Sequence, residues 1–493
     1  MFSQIRRLLK HSAVYGMGHI LNRAVSFLLL PYLTHSLTPD QYGAVTLLYM
    51  FIAISLVLYV YGFDITFLRY YILETNEDRR KEIFSTIFWA SLLTSVAFTL
   101  VITASTAWLA NLVFEDPHSL GFSPHYLLLL CAGILFSETL GIYPYLYLRA
   151  TEKSLPFISL KTTGVAINIG LAILLISVFN RGIAGVFEAN LIATSLQLLA
   201  VLPVVFKNLR LKFQFNKLGE FFRFGLPNIP SQIFVMVVEL ANRKILEIIM
   251  GLSIVGIFSA GYKLGLFMAV VTMGFRFAWQ PFFLGIADRP DAKETFSRIF
   301  TYYLLVTGTL FLALAFTIGP IMTTSWPGIG ALIEGRYWEG LKVFPIILLA
   351  HICNGAYANF MVGVYLKKKT GLMPIVTGIA ALVNIVGNIL FIPVFGMMAA
   401  AWMTFISYFT LAVLLYILIQ RHYYVQYEWK RILIMIGCGI IIYSISLLPV
   451  FQPYWYLKLI LIPAFFALLK LANFFLPEEI SAVKRRLFPS KAV

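Results

Sequence analysis

Charge is scarce in this chain: Asp, Glu, Lys and Arg make up 12% of its 493 residues, about half the ~25% of an ordinary soluble domain. With 60% hydrophobic residues it has too little polar surface to cover a water-soluble body, which excludes a cytosolic enzyme and a disordered scaffold. Cysteine is nearly absent. Cys131, Cys353 and Cys438 sit singly in apolar runs, so neither a disulfide framework nor a paired-cysteine metal site is encoded. No GxxxxGK[ST] phosphate loop, HExxH or GxSxG motif occurs, so neither covalent chemistry nor a cofactor or metal is expected. Long connections are missing too. The longest, near 322–339 and 207–220, are too short for a folded domain outside the membrane.

What the chain has in abundance is long apolar runs. A helix crossing about 30 Å of hydrocarbon needs about 20 apolar residues, and about 14 such windows occur. They centre near Arg23, Ala53, Ala97, Gly133, Ile167, Thr194, Met236, Met268, Gly308, His351, Leu382, Phe409, Ile440 and Pro463. The first is too long for a signal peptide and lacks a small-residue cleavage site, so it reads as a retained span. The expected fold is an all-α integral membrane protein.

The surplus of 38 Lys+Arg over 22 Asp+Glu, a net +16, is one-sided. Basic residues cluster at the amino terminus, at 69–81, 149–153, 207–223, 289–298, 367–369 and 421–431, and in the tail at 484–491. The opposite loops carry only Arg181 and Arg336. The positive-inside bias puts both termini in the cytoplasm of a plasma (inner) membrane protein. The surplus is topology, and nucleic acid is not an expected partner.

The chain also repeats itself. Lys81-Glu82-Ile83-Phe84-Ser85-Thr86-Ile87-Phe88 opens the third span as Lys293-Glu294-Thr295-Phe296-Ser297-Arg298-Ile299-Phe300 opens the ninth. Tyr42-Gly43 matches Val255-Gly256, Tyr147-Leu148 with Pro156 matches Tyr365-Leu366 with Pro374, and 180–185 echoes 394–399. Six spans per repeat, an even number, give two halves of the same orientation around a central cavity, a transporter architecture. The expected units are 1–206 (first lobe, spans 1–6), 207–219 (cytoplasmic linker), 220–420 (second lobe, spans 7–12), 421–476 (spans 13–14) and 477–493 (cytoplasmic tail).

In these residues the sequence resembles the polysaccharide-transporter (Wzx-type flippase) branch of the multidrug/oligosaccharidyl-lipid/polysaccharide exporter superfamily. The resemblance is carried by Tyr15-Gly16 through Asn22-Arg23 to Leu30-Pro31, Leu37-Thr38-Pro39, Tyr42-Gly43, and Gly62-Phe63-Asp64 with Leu68-Arg69-Tyr70-Tyr71. In the second half, Asn242-Arg243 and Val255-Gly256 through Gly261-Tyr262-Lys263 carry it. One departure stands out: the family often has Asp-Arg where this chain has Asn242-Arg243, which leaves that position without an acid for ion coupling. The resemblance implies a cavity lined largely by spans 1, 2, 7 and 8. It also implies a cargo of undecaprenyl-diphosphate-linked oligosaccharide, such as an O-antigen unit of lipopolysaccharide, moved from the cytoplasmic to the outer leaflet by alternating access driven by an ion gradient or the membrane potential, without ATP. Polysaccharide polymerase or assembly proteins are the partners such a role implies, beside the bilayer itself.

Ionisable residues inside spans are costly and therefore functional candidates. Arg23 and Lys263 lie near the middle of spans 1 and 8, too deep to snorkel easily. Arg243 and Arg276 are intermediate. Lys161, like Lys244, Lys342, Lys458 and Lys470, lies near a span end, where snorkelling competes with a cavity role. Arg offers paired donors to a diphosphate and Lys a point charge. The acids Asp64, Glu138, Glu188 and Glu239 either neutralise these cations or carry protons. His351, Asn354, Asn384 and Asn388 read as interhelical hydrogen-bonding groups, and Pro227 and Pro230 predict a bend at the start of span 7. Two other functions compete. A small-molecule exporter of organic cations would want an acidic, aromatic cavity, and a membrane glycosyltransferase or polymerase would need a larger external loop.

Overall fold

In the computed structural model, residues 27, 29–117, 121–211, 213–328, 330–451 and 454–479 are described. Among them there is no strand, and a lone bridge pairs Trp326 with Gly330. The helices are α1 (29–36), α2 (Pro39–Val60), α3 (Phe63–Leu73), α4 (Glu77–Ala104), α5 (Thr106–Val113), α6 (Pro124–Ala150), α7 (Ser154–Ser177) and α8 (Gly182–Asn208). They continue as α9 (Phe215–Gly225), α10 (Ile229–Met250), α11 (Leu252–Ile286), α12 (Ala292–Thr323), α13 (Phe344–Leu366), α14 (Leu372–Phe395), α15 (Met397–Gln420), α16 (Trp429–Ser446) and α17 (Leu461–Leu471).

Eleven of these helices are long and apolar enough to cross a membrane. With α1, with α10, and with α17 plus the turn before it, the count reaches the expected number, about 14. The protein is a multi-pass membrane protein. Its rim exposes side chains such as Leu93, Leu100, Leu390, Val394, Leu433 and Ile440, which lipid rather than water accommodates. Helix starts are written locally. Thr38 and Gln41 form a capping box with Pro39 in the first turn of α2, and the Asn76 side chain accepts from the amides of Asp78 and Arg79. Each satisfies backbone donors that a helix start leaves free.

The helices form two lobes in which the repeat is visible. In the first, α6 packs on α2, α4 and α8, and α7 on α8; in the second, α13 packs on α11 and α15, and α14 on α10 and α15. α4 and α12 begin at the two copies of the eight-residue match. Gly182 at the start of α8 and Gly396 just before α15 both turn with positive φ, +51° and +58°. Residues 39–73 correspond in length to α11 at 252–286, with one difference. α11 is continuous, whereas the first copy breaks at Tyr61 and Gly62, both left-handed. The linker helix α9 explains the break. A Cβ on Gly62 would lie 2.4 Å from the Gly225 carbonyl oxygen, and Tyr61 stacks on Phe222 with ring centroids 5.3 Å apart. The bend predicted from Pro227 and Pro230 is a single 3-10 turn, Leu226–Asn228, between α9 and α10.

The lobes meet where α2 and α11 begin. There Tyr337 donates to the Leu37 carbonyl at 2.8 Å, and a His35 ring nitrogen lies 2.9 Å from the Ala331 carbonyl oxygen. Lys244 donates to the Val113 carbonyl at 3.2 Å, and the Glu115 amide donates to Glu247 at 2.8 Å. The pair α16 and α17 packs mainly on α12, through Leu312, Phe316, Cys438, Ile442 and Phe465, and Trp429 at the start of α16 donates to the Tyr416 hydroxyl of α15 at 3.1 Å.

Candidate functional site

Between the lobes lies a cavity of about 690 Å³. Its first-lobe wall comes from α2, α6, α7 and α8, and its second-lobe wall from Arg243 on α10 and Ser259, Tyr262 and Lys263 on α11. Of the sequence candidates, Lys161, Arg243, Lys263 and Glu138 come together here. Arg243 is buried, with its guanidinium carbon 4.4 Å from the centre of the Tyr262 ring. It donates to Asn242 Oδ1 at 3.3 Å and to the Glu239 carbonyl. Asn242 in turn donates to Thr404 at 3.1 Å, which fixes the arginine from behind. Lys161 Nζ sits 4.2 Å from the centre of the Tyr145 ring. Its charge acts on Glu138 through space, without a direct ion pair. Lys263 makes no hydrogen bond or ion pair with any described residue. Among the described residues three cations face one acid, so this cavity wall is positive and low in dielectric, where an anion is held strongly.

Two further cavities continue from the first. One of about 210 Å³ shares Arg243 and Tyr262 with it and adds Glu239, Arg276, His351 and Asn354. One of about 700 Å³ shares Arg276 with that and adds Gln280 and Arg149. A cation therefore stands at each junction. Arg276 donates to Asn354 through both its main-chain and side-chain oxygens. Glu239 accepts from Tyr408 at 2.8 Å.

The remaining candidates lie elsewhere. Glu188 is bound by Arg181 and accepts from Tyr126 at 2.7 Å; it lies in the early turns of α8, between the lining residues Val186 and Asn190, but does not itself line the cavity. Asp64 lies at the start of α3, one carboxylate oxygen buried without a partner among the described residues. Arg23 falls outside the described residues. The sequence reading passed over Tyr49, Asn168, Asn190 and Gln197, all of which line the cavity. A signal for them existed. Glu138 and Tyr145, Lys161 and Asn168, and Asn190 and Gln197 are each seven residues apart, which puts each pair on one helix face.

Two similar helical lobes of the same orientation, enclosing a polar cavity in an otherwise apolar body, define a membrane transporter architecture. The chain belongs to the polysaccharide biosynthesis protein family, whose model matches residues 8–286. No curated protein matches it. Among solved structures it is similar to the lipid II flippase MurJ in an inward closed conformation, with 15% identity and TM-score 0.72 over 97% of this chain and 100% of that one. It is also similar to the Vibrio cholerae MATE transporter VcmN, with 15% identity and TM-score 0.61 over 85% of this chain and 97% of that one. A multidrug resistance MATE family transporter of the MOP superfamily, inward-facing, matches at 14% identity and TM-score 0.62 over 82% and 94%. These likenesses concern the fold.

Proposed function

We propose that this chain is a flippase for a polyprenyl-diphosphate-linked oligosaccharide, carrying it from the cytoplasmic to the outer leaflet. The observation that carries the reading is the cavity itself, whose cations come from both lobes: Lys161 from one, Arg243 and Lys263 from the other. A diphosphate needs cations, and a cargo gripped between two lobes couples its capture to their relative movement. Family membership supports a glycan cargo, and the lipid II flippase shares the fold.

The orientation follows from the one-sided basic loops. It puts the α2–α11 contact at the outer face and Arg149, at the end of α6, at the cytoplasmic face. The lobes are then shut outside, and the cations Arg149, Arg276, Arg243 and Lys263 form a series leading inward from the cytoplasmic end. An anionic head group would pass from one to the next, and the seal would open as the lobes rock. ATP has no part in this scheme.

The test is reconstitution of the purified protein in liposomes with a fluorescent polyprenyl-diphosphate glycan. Flipping without ATP supports the reading. Efflux of an organic-cation dye with no flipping would assign the chain instead to multidrug-type export.

A further inference from the structure

The cavity has two chemically different walls. The second-lobe wall carries Arg243 and Lys263 and no acid. Among the described residues, the first-lobe wall carries one cation, Lys161, set against one acid, Glu138, among amides and hydroxyls. A carboxylate facing a diphosphate would repel it, so the charges alone leave Glu138 unexplained. Its oxygens accept no hydrogen bond from any described side chain, and the Asn168 amide likewise has no partner among the described residues. Both are directed at whatever fills the cavity.

The neighbours of these groups are held in place. Asn190 is buried and donates to the Tyr49 hydroxyl at 3.2 Å, anchoring a ring that is 37% exposed and lines the cavity. Tyr145 donates to Gln197 Oε1 at 3.4 Å, which leaves the Gln197 amide hydrogens available. That amide lies across Gly164, where a Cβ would come within 1.7 Å of Gln197 Nε2. Glycine at 164 thus makes room for it. A fixed, accessible aromatic face beside a carboxylate acceptor and free amides matches a sugar ring, which offers an apolar C–H face and a rim of hydroxyl donors and acceptors.

We infer that the two walls bind different parts of one cargo. The α10–α11 wall holds the diphosphate. The first-lobe wall holds the sugar attached to it, with Tyr49 stacking on the ring and Glu138 and Asn168 bonding its hydroxyls. Lys161 offsets the Glu138 charge so that the acid does not repel the neighbouring phosphates. This assignment rests on the flippase reading and adds to it a sugar subsite and a cargo orientation. Each lobe then recognises one chemical half of the cargo, and the closed state forms around a substrate that has both.

The experiment measures binding to the full-length protein in lipid nanodiscs with two probes: polyprenyl diphosphate, and polyprenyl diphosphate bearing one N-acetylglucosamine. The wild type should bind the glycosylated probe about tenfold tighter. Tyr49→Ala and Glu138→Gln should each remove most of that advantage without weakening affinity for the bare lipid, which also shows that they fold. Lys263→Met should weaken both probes alike. Equal wild-type affinity for the two probes, or equal losses on both in Tyr49→Ala and Glu138→Gln, would overturn the subsite and leave the diphosphate reading standing. Binding of neither probe by the wild type would remove both.

Discussion

Gly43 on α2 and Gly256 on α11 face one another across the lobe interface. A Cβ on Gly43 would lie 2.2 Å from the Leu252 carbonyl oxygen, and one on Gly256 would lie 2.0 Å from that of Pro39. Each glycine lies against the first turn of the other helix. The two positions correspond in the internal repeat, so the contact sits close to the axis relating the halves. Small residues let the backbones touch.

A side chain at either position forces backbone apart. Gly43→Leu and Gly256→Leu should therefore hold this end open and cut flipping at least tenfold in a protein that still inserts. A cysteine placed at Ser259 in a cysteine-free background should become reactive to a membrane-impermeant thiol reagent added outside. Normal transport by both variants would show that the contact is not a seal.

The cavity cations should be needed for transport and not for folding. Arg243→Ala and Lys263→Ala are each expected to abolish complementation while membrane levels hold. Arg243→Lys keeps the charge and loses both the guanidinium fork and its stacking on Tyr262, so activity should drop about tenfold or more. Full activity in the alanine variants would rule out a shared diphosphate clamp.

The tail pair depends on a charge cluster that can be titrated. Arg431 donates to Glu428 at 2.8 Å, to Glu479 at 2.9 Å and to the Phe474 carbonyl at 2.9 Å. Removing it strands two partly buried carboxylates, so Arg431→Met should cost about 3 kcal/mol of stability. Burial alone would raise the Glu479 pKa, but hydrogen bonds from Tyr302 and the Leu476 amide, with the Arg431 charge, hold it below its ordinary value of 4.5. A depressed folded value stabilises the fold above the ordinary pKa, and this is lost as pH falls through the folded value. Thermal unfolding scans below about pH 4.5 should show the loss, and Glu479→Gln should flatten it. An unchanged acid limb in that variant would refute the assignment.

Topology can be read by labelling. Glu115 and Glu334 lie at the α2–α11 end and the loop at 367–369 at the other. Single cysteines near the first two should react from outside, and one at Lys368 should react only after permeabilisation. The reverse pattern would invert the orientation.

Span number and the duplication were legible in the sequence because each is local. Twenty apolar residues or a repeated octet needs no knowledge of the neighbours. The site was legible in part. Lys263 and Arg243 stood out because a charge is conspicuous in an apolar helix, whereas Tyr49, Asn168 and Gln197 are ordinary residues in a span and matter through what they face. Glu188 shows the converse. As a charge in a span it looked equal to Glu138, yet Arg181, seven positions back across a turn, satisfies it at the rim. The α2–α3 break was invisible too, since it arises from α9, more than a hundred residues later, coming to lie against Gly62.

That break makes the two halves mechanically unequal. α11 runs unbroken through 35 residues, so Gly256 and Arg276 are about 30 Å apart on one rod. A tilt of about 10° about the glycine contact would carry Arg276 sideways by about 5 Å, enough to exchange one set of ligands for another. Its counterpart in the first half is jointed at Gly62 and cannot act as such a lever. On the proposed function, the second half is the arm that moves Arg243, Lys263 and Arg276, and the first is the anvil against which the cargo is held.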